Sequence, residues 1–217
     1  FDHNYRKLSS QQVVTLISKQ INSIVYKADQ SFQGKGVKVL KTANLNLKNL
    51  EIIGNGTLQR FIEQHDFFNQ FQTNSTATIR LTTVIDANGK PSLRSSYLRI
   101  GRTKDTHITS KTHIRIPVDI GEGTLNEVGY LPNWCTITSH PDSNIEFKDK
   151  TIPSYKACVE QVLKLHSKLQ MVQCIGWDVT IDKHSQMVLM EWNGYGNDIK
   201  FSEATQGPCF KDMGWIH

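Results

Sequence analysis

The sequence lacks the features that identify membrane and secreted proteins. It has no run of about 18 or more apolar residues, and its opening segment FDHNYRKLSS has no apolar stretch typical of a signal peptide. We therefore expect a soluble, cytoplasmic protein without a membrane partner. The chain starts at Phe1 and enters a helix-like segment almost at once, so we expect an upstream region to be missing.

Metal-binding cysteine pairs and a basic stripe are also absent. The four cysteines form no CxxC pair, which argues against a zinc site and a disulfide framework. The net charge of +5 is spread along the chain without interleaved aromatic residues. This charge pattern is weak evidence for nucleic-acid binding and agrees better with binding of a small anionic ligand. With 217 residues, of which 38% are hydrophobic, the chain can bury one sizeable core or two small ones.

Periodic segments predict a mixture of helices and hairpins. Apolar spacing predicts helices over residues 9–21 and 153–169. Alternation predicts strands in SIVYKA, VKVL, LQRFI (58–62), the two runs around Asn88-Gly89, QCIGWDVTID and MVLMEWN. We find no internal repeat and no low-complexity linker.

The last predicted hairpin carries a candidate metal site. Period-2 alternation puts Glu191 and Asn193 on one face, and pairing across the turn can bring Asp178 to the same face. Two carboxylates and a carboxamide are hard oxygen ligands that suit Mg²⁺ held with nucleotide phosphates. An acid and an amide at the end of an edge strand are often only solvated, but the distant partner Asp178 favours the metal site.

A glycine-rich hairpin, YKADQSFQGKGVKVL, is a candidate phosphate site. Lys27 can reach phosphate oxygens from the end of a strand, while the backbone amides around Gly34, Lys35 and Gly36 can fold over them. The segment is not a Walker A motif, because GxxxxGK[ST] is absent and a strand follows it. Taken alone, this hairpin tip is equally well explained as a flexible turn.

The order of these motifs resembles the ATP-grasp superfamily along nearly the whole chain. A lysine strand, a glycine-rich flap, the strand QRFI, an arginine strand TIR and a final Asp…Glu-x-Asn follow one another. More narrowly, TATIRLTTV, SYLRIG, SHPDSN and IGWDVTI…LMEWNG are similar to the sugar-transfer-associated ATP-grasp proteins of polysaccharide biosynthesis. The resemblance implies an α+β fold with antiparallel sheets, in which a small subdomain (1–62) and a large one (63–217) clasp a nucleotide, with the pre-grasp region absent.

The resemblance also implies roles for individual residues. Arg80 would point at the transferred phosphate or the acyl phosphate. Asp178, Glu191 and Asn193 would hold magnesium ions. The nucleotide would be bound by Lys27, the flap Gln33, Gly34, Lys35 and Gly36, the hinge Gln59, Arg60, Phe61 and Ile62, and Asp66 at the ribose.

Independently of the resemblance, Arg80 and Arg99 lie on the two strands flanking the Asn88-Gly89 turn, with Arg99 on the face of Tyr97. A paired register can therefore present both guanidiniums to one cleft, where Arg99 would bind the acceptor's carboxylate. A solvated strand charge is the alternative for each arginine.

Two departures from the superfamily pattern affect these roles. Many carboxylate–amine ligases of the superfamily have a basic residue two positions before the first metal acid, where this chain has Gly176. Arg99 or Lys200 could replace that cation, or the reaction could differ. The missing upstream region usually provides a further phosphate-binding lysine.

The remaining candidates have ordinary explanations. His107 and His113 are separated by five residues on a segment that we interpret as irregular, so surface or substrate-loop positions are favoured over a metal pair. We interpret His140 as a loop-ordering residue and His166 as a satisfied core histidine. Trp177 and Trp192 alternate away from the metal face, which favours packing.

The implied activity is an ATP- and Mg²⁺-dependent ligase that joins a carboxylate to an amine through an acyl phosphate. Its partners would be small-molecule carboxylate and amine substrates, with a sugar acid or amino acid as the acid and a homodimer as one possible assembly. A kinase of a small hydroxyl substrate and a catalytically silent nucleotide-binding module are the alternatives.

Overall fold

The protein's structure is a computed structural model that forms two compact units, Phe1–Ile62 and Glu63–His217. It describes residues 2, 4, 6–18, 23–30, 36–44, 46, 48, 52–105, 107 and 112–215. Within these residues no helix is long and apolar enough to cross a membrane.

The described residues of the first unit include an α-helix, a short 3-10 helix (Thr42–Asn44) and a three-stranded antiparallel sheet. Helix α1 (Ser10–Ser18) precedes strands β1 (Ser23–Ala28), β2 (Val37–Lys41) and β3 (Gly56–Arg60), in the spatial order β2-β1-β3. Ile24 and Tyr26, two apart on β1, are buried on one face of this sheet. Strand β3 starts and ends two residues earlier than the predicted strand 58–62. The predicted end of the first helix lies outside the described residues.

The second unit is built on a seven-stranded antiparallel sheet with the spatial order β10-β9-β4-β5-β6-β7-β8. Its strands are β4 (Thr78–Ile85), β5 (Pro91–Ile100), β6 (Ile114–Pro117), β7 (Gly129–Tyr130), β8 (Thr136–Ile137), β9 (Cys174–Ile181) and β10 (Met187–Asn193). The hairpin predicted at Asn88-Gly89 joins β4 to β5, where Gly89 has φ +77° as a tight turn requires. The antiparallel α+β class expected from the sequence is confirmed.

One face of this sheet is apolar and carries the core. Ile79 and Leu81 on β4, Leu98 on β5 and Trp177 and Val179 on β9 are all at most 1% exposed. Helix α3 (Tyr155–His166) packs on this face with Tyr155, Cys158, Val162 and His166 buried. The helix is shorter than the predicted 153–169, since Pro153 and Ser154 form the turn that precedes it.

Two further α-helices and a short 3-10 helix (Lys211–Met213) lie in the described part of this unit. The short α2 (Asp66–Asn69) lies near its start, and α4 (Ile199–Gln206) contacts β5 and β6. Phe201 of α4 packs edge-on against Tyr97 of β5, with ring centroids 4.9 Å apart. Because Tyr97 lies on the face opposite Leu98, α4 partly covers the polar face of the sheet. Of the segment between His107 and His113 that we interpret as irregular, residues 108–111 lie outside the described residues, and strand β6 begins after it at Ile114.

Candidate functional site

The polar face of the seven-stranded sheet collects charged residues in two rows across the strands. In the first row, Glu191 pairs with Asp178, Asp178 with Arg80, and Arg80 with Tyr97. In the second row, Thr78 pairs with Arg99 and Arg99 with Arg115. Directly paired residues of an antiparallel sheet point to the same face. The carboxylates therefore lie on β9 and β10, and the arginines on β4, β5 and β6.

Asp178 is held by two arginines at the centre of this face. Arg80 donates from Nε to Oδ1 at 2.6 Å and from Nη2 to Oδ2 at 3.1 Å, and Arg99 Nη2 reaches Oδ1 at 2.5 Å. Burial acts to raise the pKa of Asp178, but the charges of Arg99 and Arg80 outweigh it and lower the pKa below its ordinary value. Asp178 is therefore a fixed carboxylate anion.

Arg80 fills the space above Gly176. A Cβ at position 176 would lie 2.9 Å from Arg80 Nη1, closer than a real side chain tolerates. That nitrogen donates to the carbonyl oxygen of Asn197 at 2.9 Å. The superfamily pattern predicts a basic side chain at position 176. Here the guanidinium of Arg80, from the neighbouring strand β4, lies beside that position.

A second carboxylate, Asp198, faces the arginine end of the sheet. Its Oδ2 accepts from the Tyr97 hydroxyl at 3.0 Å and lies 3.6 Å from Arg115 Nη1. Burial raises the pKa of Tyr97 to about 12, so its hydroxyl stays protonated and donates. Asp198 has φ +56° and precedes α4, so the start of this helix is tied to the polar face.

Aromatic rings surround Arg115. Its guanidinium carbon lies 4.3 Å from the centroid of Phe201 and 5.0 Å from that of Trp134. The Tyr130 ring packs edge-on against both of these rings, at centroid distances of 5.6 and 6.0 Å. Trp134 is nevertheless 47% exposed. This corner combines a cation with an accessible aromatic surface.

The three predicted metal residues lie on β9 and β10. Asp178 and Glu191 are cross-strand partners, and Asn193 Nδ2 lies 3.4 Å from the carbonyl oxygen of Gly176, which leaves Asn193 Oδ1 to face a ligand. Glu191 is exposed and, in the described part of the chain, forms no ion pair. No three His, Cys, Asp or Glu side chains gather into a metal-binding group within those residues. A metal here would need the amide and non-protein oxygens as further ligands.

The residues predicted to bind the nucleotide fall in both units. In the first unit, Lys27 is half-buried on β1, and the Gly36 carbonyl accepts from Ala28 N at 3.0 Å. Gln59 and Arg60 end β3 and are exposed, whereas Phe61 and Ile62 follow it half-buried. In the second unit, Asp66 begins α2 and accepts from Asn69 Nδ2 at 3.0 Å. Gln33, Gly34 and Lys35 lie outside the described residues, and all these roles remain predictions.

Sequence reasoning did not assign four residues to this site. Asp198, Arg115 and Trp134 were not proposed, and Tyr97 was noted only for sharing a face with Arg99. A signal for Arg115 existed in the alternation of HIRIP, but the segment before it obscured that signal. Nothing local marks Asp198 or Trp134, because their positions depend on contacts with distant strands.

The interpretations of His140, His166 and Trp177 agree with the structure, whereas Trp192 is 46% exposed and packs with only part of its surface. His140 is buried, with Nε2 3.0 Å from the Gly101 carbonyl oxygen and Nδ1 accepting from two loop amides. His166 is buried with partners at both ring nitrogens. Trp177 lies in the core, and Trp192 contacts it from the edge strand with ring centroids 6.5 Å apart.

Comparison with known proteins identifies the relationship. Residues 54–212, more than half of the chain, match the sequence profile of the family described as sugar-transfer associated ATP-grasp. None of the curated proteins matches the chain significantly.

Solved ATP-grasp structures share the fold at low identity. One is the biotin carboxylase domain of the 2-oxoglutarate carboxylase from Hydrogenobacter thermophilus, with MgADP, ADP and bicarbonate (TM-score 0.53, 12% identity, 86% of this chain and 34% of that one). Another is N5-carboxyaminoimidazole synthetase from Staphylococcus aureus with ADP (TM-score 0.54, 10% identity, 90% of this chain and 40% of that one). The chain thus spans well under two thirds of either structure, and the predicted ATP-grasp fold is confirmed.

Proposed function

The chain belongs to the sugar-transfer associated ATP-grasp family, and from this premise we propose that it is an ATP- and Mg²⁺-dependent ligase that joins a carboxylate to an amine. In this reaction the substrate carboxylate accepts the terminal phosphoryl group of ATP, and the amine then displaces phosphate to form an amide. The products are the amide, ADP and phosphate. We propose a sugar acid or an amino acid of polysaccharide biosynthesis as the acid.

The observation that carries this proposal is the distribution of charge on one sheet face. Among the strand residues, the carboxylates lie on β9 and β10 and the arginines lie on β4, β5 and β6, while Asp198, which precedes α4, faces the arginine end. A face of this kind can hold a metal with phosphate groups at one end and an anionic substrate at the other. Both reacting groups would then lie on the same face of the sheet.

The residues at the acidic end fit a magnesium ion. Glu191 offers two oxygens and Asn193 offers Oδ1. Among the described residues, Asp178 Oδ2 accepts one hydrogen bond, from Arg80, which leaves a further lone pair. When bound, Mg²⁺ would neutralise phosphate charge during transfer. We keep the proposal that Arg80 points at the transferred phosphate, and its fork also fixes the orientation of Asp178.

The arginine end favours a carboxylate substrate over a hydroxyl substrate. Arg99 and Arg115 are direct cross-strand partners, and their side chains are 18% and 11% exposed. Two neighbouring guanidiniums are well suited to a carboxylate and are not needed for a neutral alcohol. This supports ligase chemistry rather than kinase chemistry.

We propose that the residues predicted to bind the nucleotide contact ATP. Lys27 and the flap at 33–36 would contact its phosphates, backbone groups of residues 59–62 would meet the adenine edge, and Asp66 would bind the ribose. The segment 1–62 would then be the small ATP-grasp subdomain and 63–217 the large one with the magnesium site. The superfamily resemblance and the lysine on β1 support these assignments.

A product assay tests the proposal. The full-length protein is incubated with ATP, Mg²⁺ and panels of uronic acids, amino acids and amines, and ADP, phosphate and coupled product are measured. We expect ADP and phosphate in equal amounts, with both dependent on the acid and the amine. A stable phosphorylated product without phosphate release would indicate a kinase, and nucleotide binding without turnover would indicate a silent module.

A further inference from the structure

Trp134 has a backbone conformation that its side chain does not favour. It has φ +68°, in the left-handed region where glycine and asparagine are the usual residues. It closes a turn in the β7–β8 hairpin, where its amide donates to the Leu131 carbonyl at 2.9 Å and the Leu131 amide to the Cys135 carbonyl at 2.9 Å. A glycine would make the same turn without strain, so the turn does not explain the indole.

The indole ring is anchored by part of its surface and accessible over the rest. It contacts Phe201 at a centroid distance of 5.8 Å, and Arg115 lies 5.0 Å from its centroid. The residue is still 47% exposed. A strained residue that presents a fixed aromatic surface to solvent is typical of a ligand contact.

Arg115, which contacts this ring, and its cross-strand partner Arg99 each have an unpaired donor. Nε of Arg99 and Nε of Arg115 are shielded from solvent, and neither has a hydrogen-bond partner among the described residues. Arg115 is also held loosely by Asp198, at 3.6 Å. Guanidinium groups placed side by side with incomplete pairing favour an anion.

We propose that Trp134, Arg115 and Arg99 form a subsite for a sugar acid, in which the ring stacks on Trp134 and the carboxylate meets the arginines. The apolar C–H face of a pyranose is complementary to an aromatic surface, and in a hexuronate the carboxylate is bonded directly to the ring. Arg115 touches the indole, so a stacked ring brings its carboxylate next to the guanidinium pair. This inference rests on the proposed function and selects a ring acid over an amino acid as the acceptor.

The subsite is tested by equilibrium binding of D-glucuronate to the full-length protein by calorimetry, without ATP or amine. Trp134→Asn suits the left-handed backbone and removes the ring, and we expect it to weaken glucuronate binding at least tenfold. Trp215→Ala removes a comparably exposed tryptophan (41%) elsewhere and should leave binding unchanged. Arg115→Met should weaken binding of glucuronate as well.

A second measurement uses only the wild-type protein, so it does not depend on the folding of a variant. D-gluconate carries similar hydroxyls and a carboxylate but no ring, and we expect it to bind at least tenfold more weakly than D-glucuronate. Equal binding of the two acids, unchanged glucuronate binding in Trp134→Asn, or no glucuronate binding by the wild type would each overturn the subsite. Because no turnover is measured, a failure of ligase activity in the product assay is a separate result.

Discussion

At the scale of single residues, Asp178 and Glu191 are cross-strand partners on β9 and β10 but differ in burial and in their contacts. Asp178 is 6% exposed and bound by two arginines, whereas Glu191 is exposed. Removing one partner of a buried ion pair leaves an uncompensated charge and costs roughly 3–5 kcal/mol. A substitution of Asp178 would therefore change stability and activity together, and Glu191 is the better probe of the metal site.

We predict that Glu191→Gln lowers Mg²⁺-dependent turnover by roughly 10²-fold while leaving the melting temperature unchanged. The amide keeps the shape of the side chain but loses the negative charge that a hard cation requires. Steady-state kinetics over a range of Mg²⁺ concentrations, with thermal unfolding in parallel, measure both effects. Glu160→Gln, at an exposed position on α3, is the matched control. Wild-type turnover in Glu191→Gln would remove this residue from the metal site.

Alternation along the strands was enough to predict that Asp178 and Glu191 can share a face and that Arg80 and Arg99 can point to one cleft. The strand register brings all four residues to one face. Spacing could not predict that both arginines would bind Asp178, because that depends on the register between β4, β5 and β9. The same register places Arg80 over Gly176, where the sequence had indicated only a missing cation.

At the scale of elements, one hydrogen-bonded chain connects α3 to the sheet. His166 of α3 has Nε2 2.8 Å from the Val172 carbonyl oxygen, so Nε2 carries the proton and Nδ1 accepts from the Thr83 hydroxyl at 2.6 Å. The same hydroxyl accepts from Trp177 Nε1 of β9 at 2.7 Å. Thr83 thus links β4, β9 and α3 inside the core.

We predict that Thr83→Val destabilises the protein by about 1–3 kcal/mol, because it leaves Trp177 Nε1 and His166 Nδ1 buried without a partner. The neighbouring Thr82 provides the control. Its hydroxyl is also buried but has no partner among the described residues, so Thr82→Val should be neutral or stabilising. Urea unfolding of the two variants measures the difference. Equal losses of stability would mean that the cost comes from the valine shape rather than from the hydrogen bonds.

The strength of the periodic signal decided which elements the sequence predicted. The long strands β4, β5, β9 and β10 and the helix α3 repeat their apolar residues often enough to be recognised. Strands β7 and β8 have only two residues each, and α4 has the sequence IKFSEATQ with just two large apolar residues. These elements form because Phe201, Tyr130 and Trp134 pack around Arg115, and such long-range packing leaves no local pattern.

At the scale of the whole molecule, two buried neutral histidines link stability to pH. Burial lowers the pKa of both His140 and His166 below the ordinary value. The unfolded chain takes up protons at these side chains as the pH falls below about 6.5, while the folded protein does not until a lower pH. Their contribution to stability is therefore complete above this pH and is lost as the pH falls below it.

We predict that the free energy of unfolding decreases between pH 7.5 and 5.5, by at most about 1.4 kcal/mol per pH unit for each histidine. In His166→Gln the amide keeps one donor and one acceptor without titrating, so the slope should become shallower. His184→Gln, at an exposed position, should retain the wild-type slope. Denaturant unfolding at several pH values gives these slopes, and identical slopes in all three proteins would contradict the role of His166.

The carboxylates of Asp178 and Asp198 have a consequence for any acid that binds beside them. Arg99 and Arg115 already have anionic partners within the chain, at 2.5 and 3.6 Å. A substrate carboxylate at the proposed subsite must therefore compete with the carboxylate of Asp178 or Asp198. Binding then exchanges one anionic partner of an arginine for another and does not neutralise a free charge. Arg115, which has the looser partner, is the one that can switch most readily. A carboxylate alone gains little affinity in such an exchange, so selectivity must come from the sugar ring, which an aspartate side chain lacks.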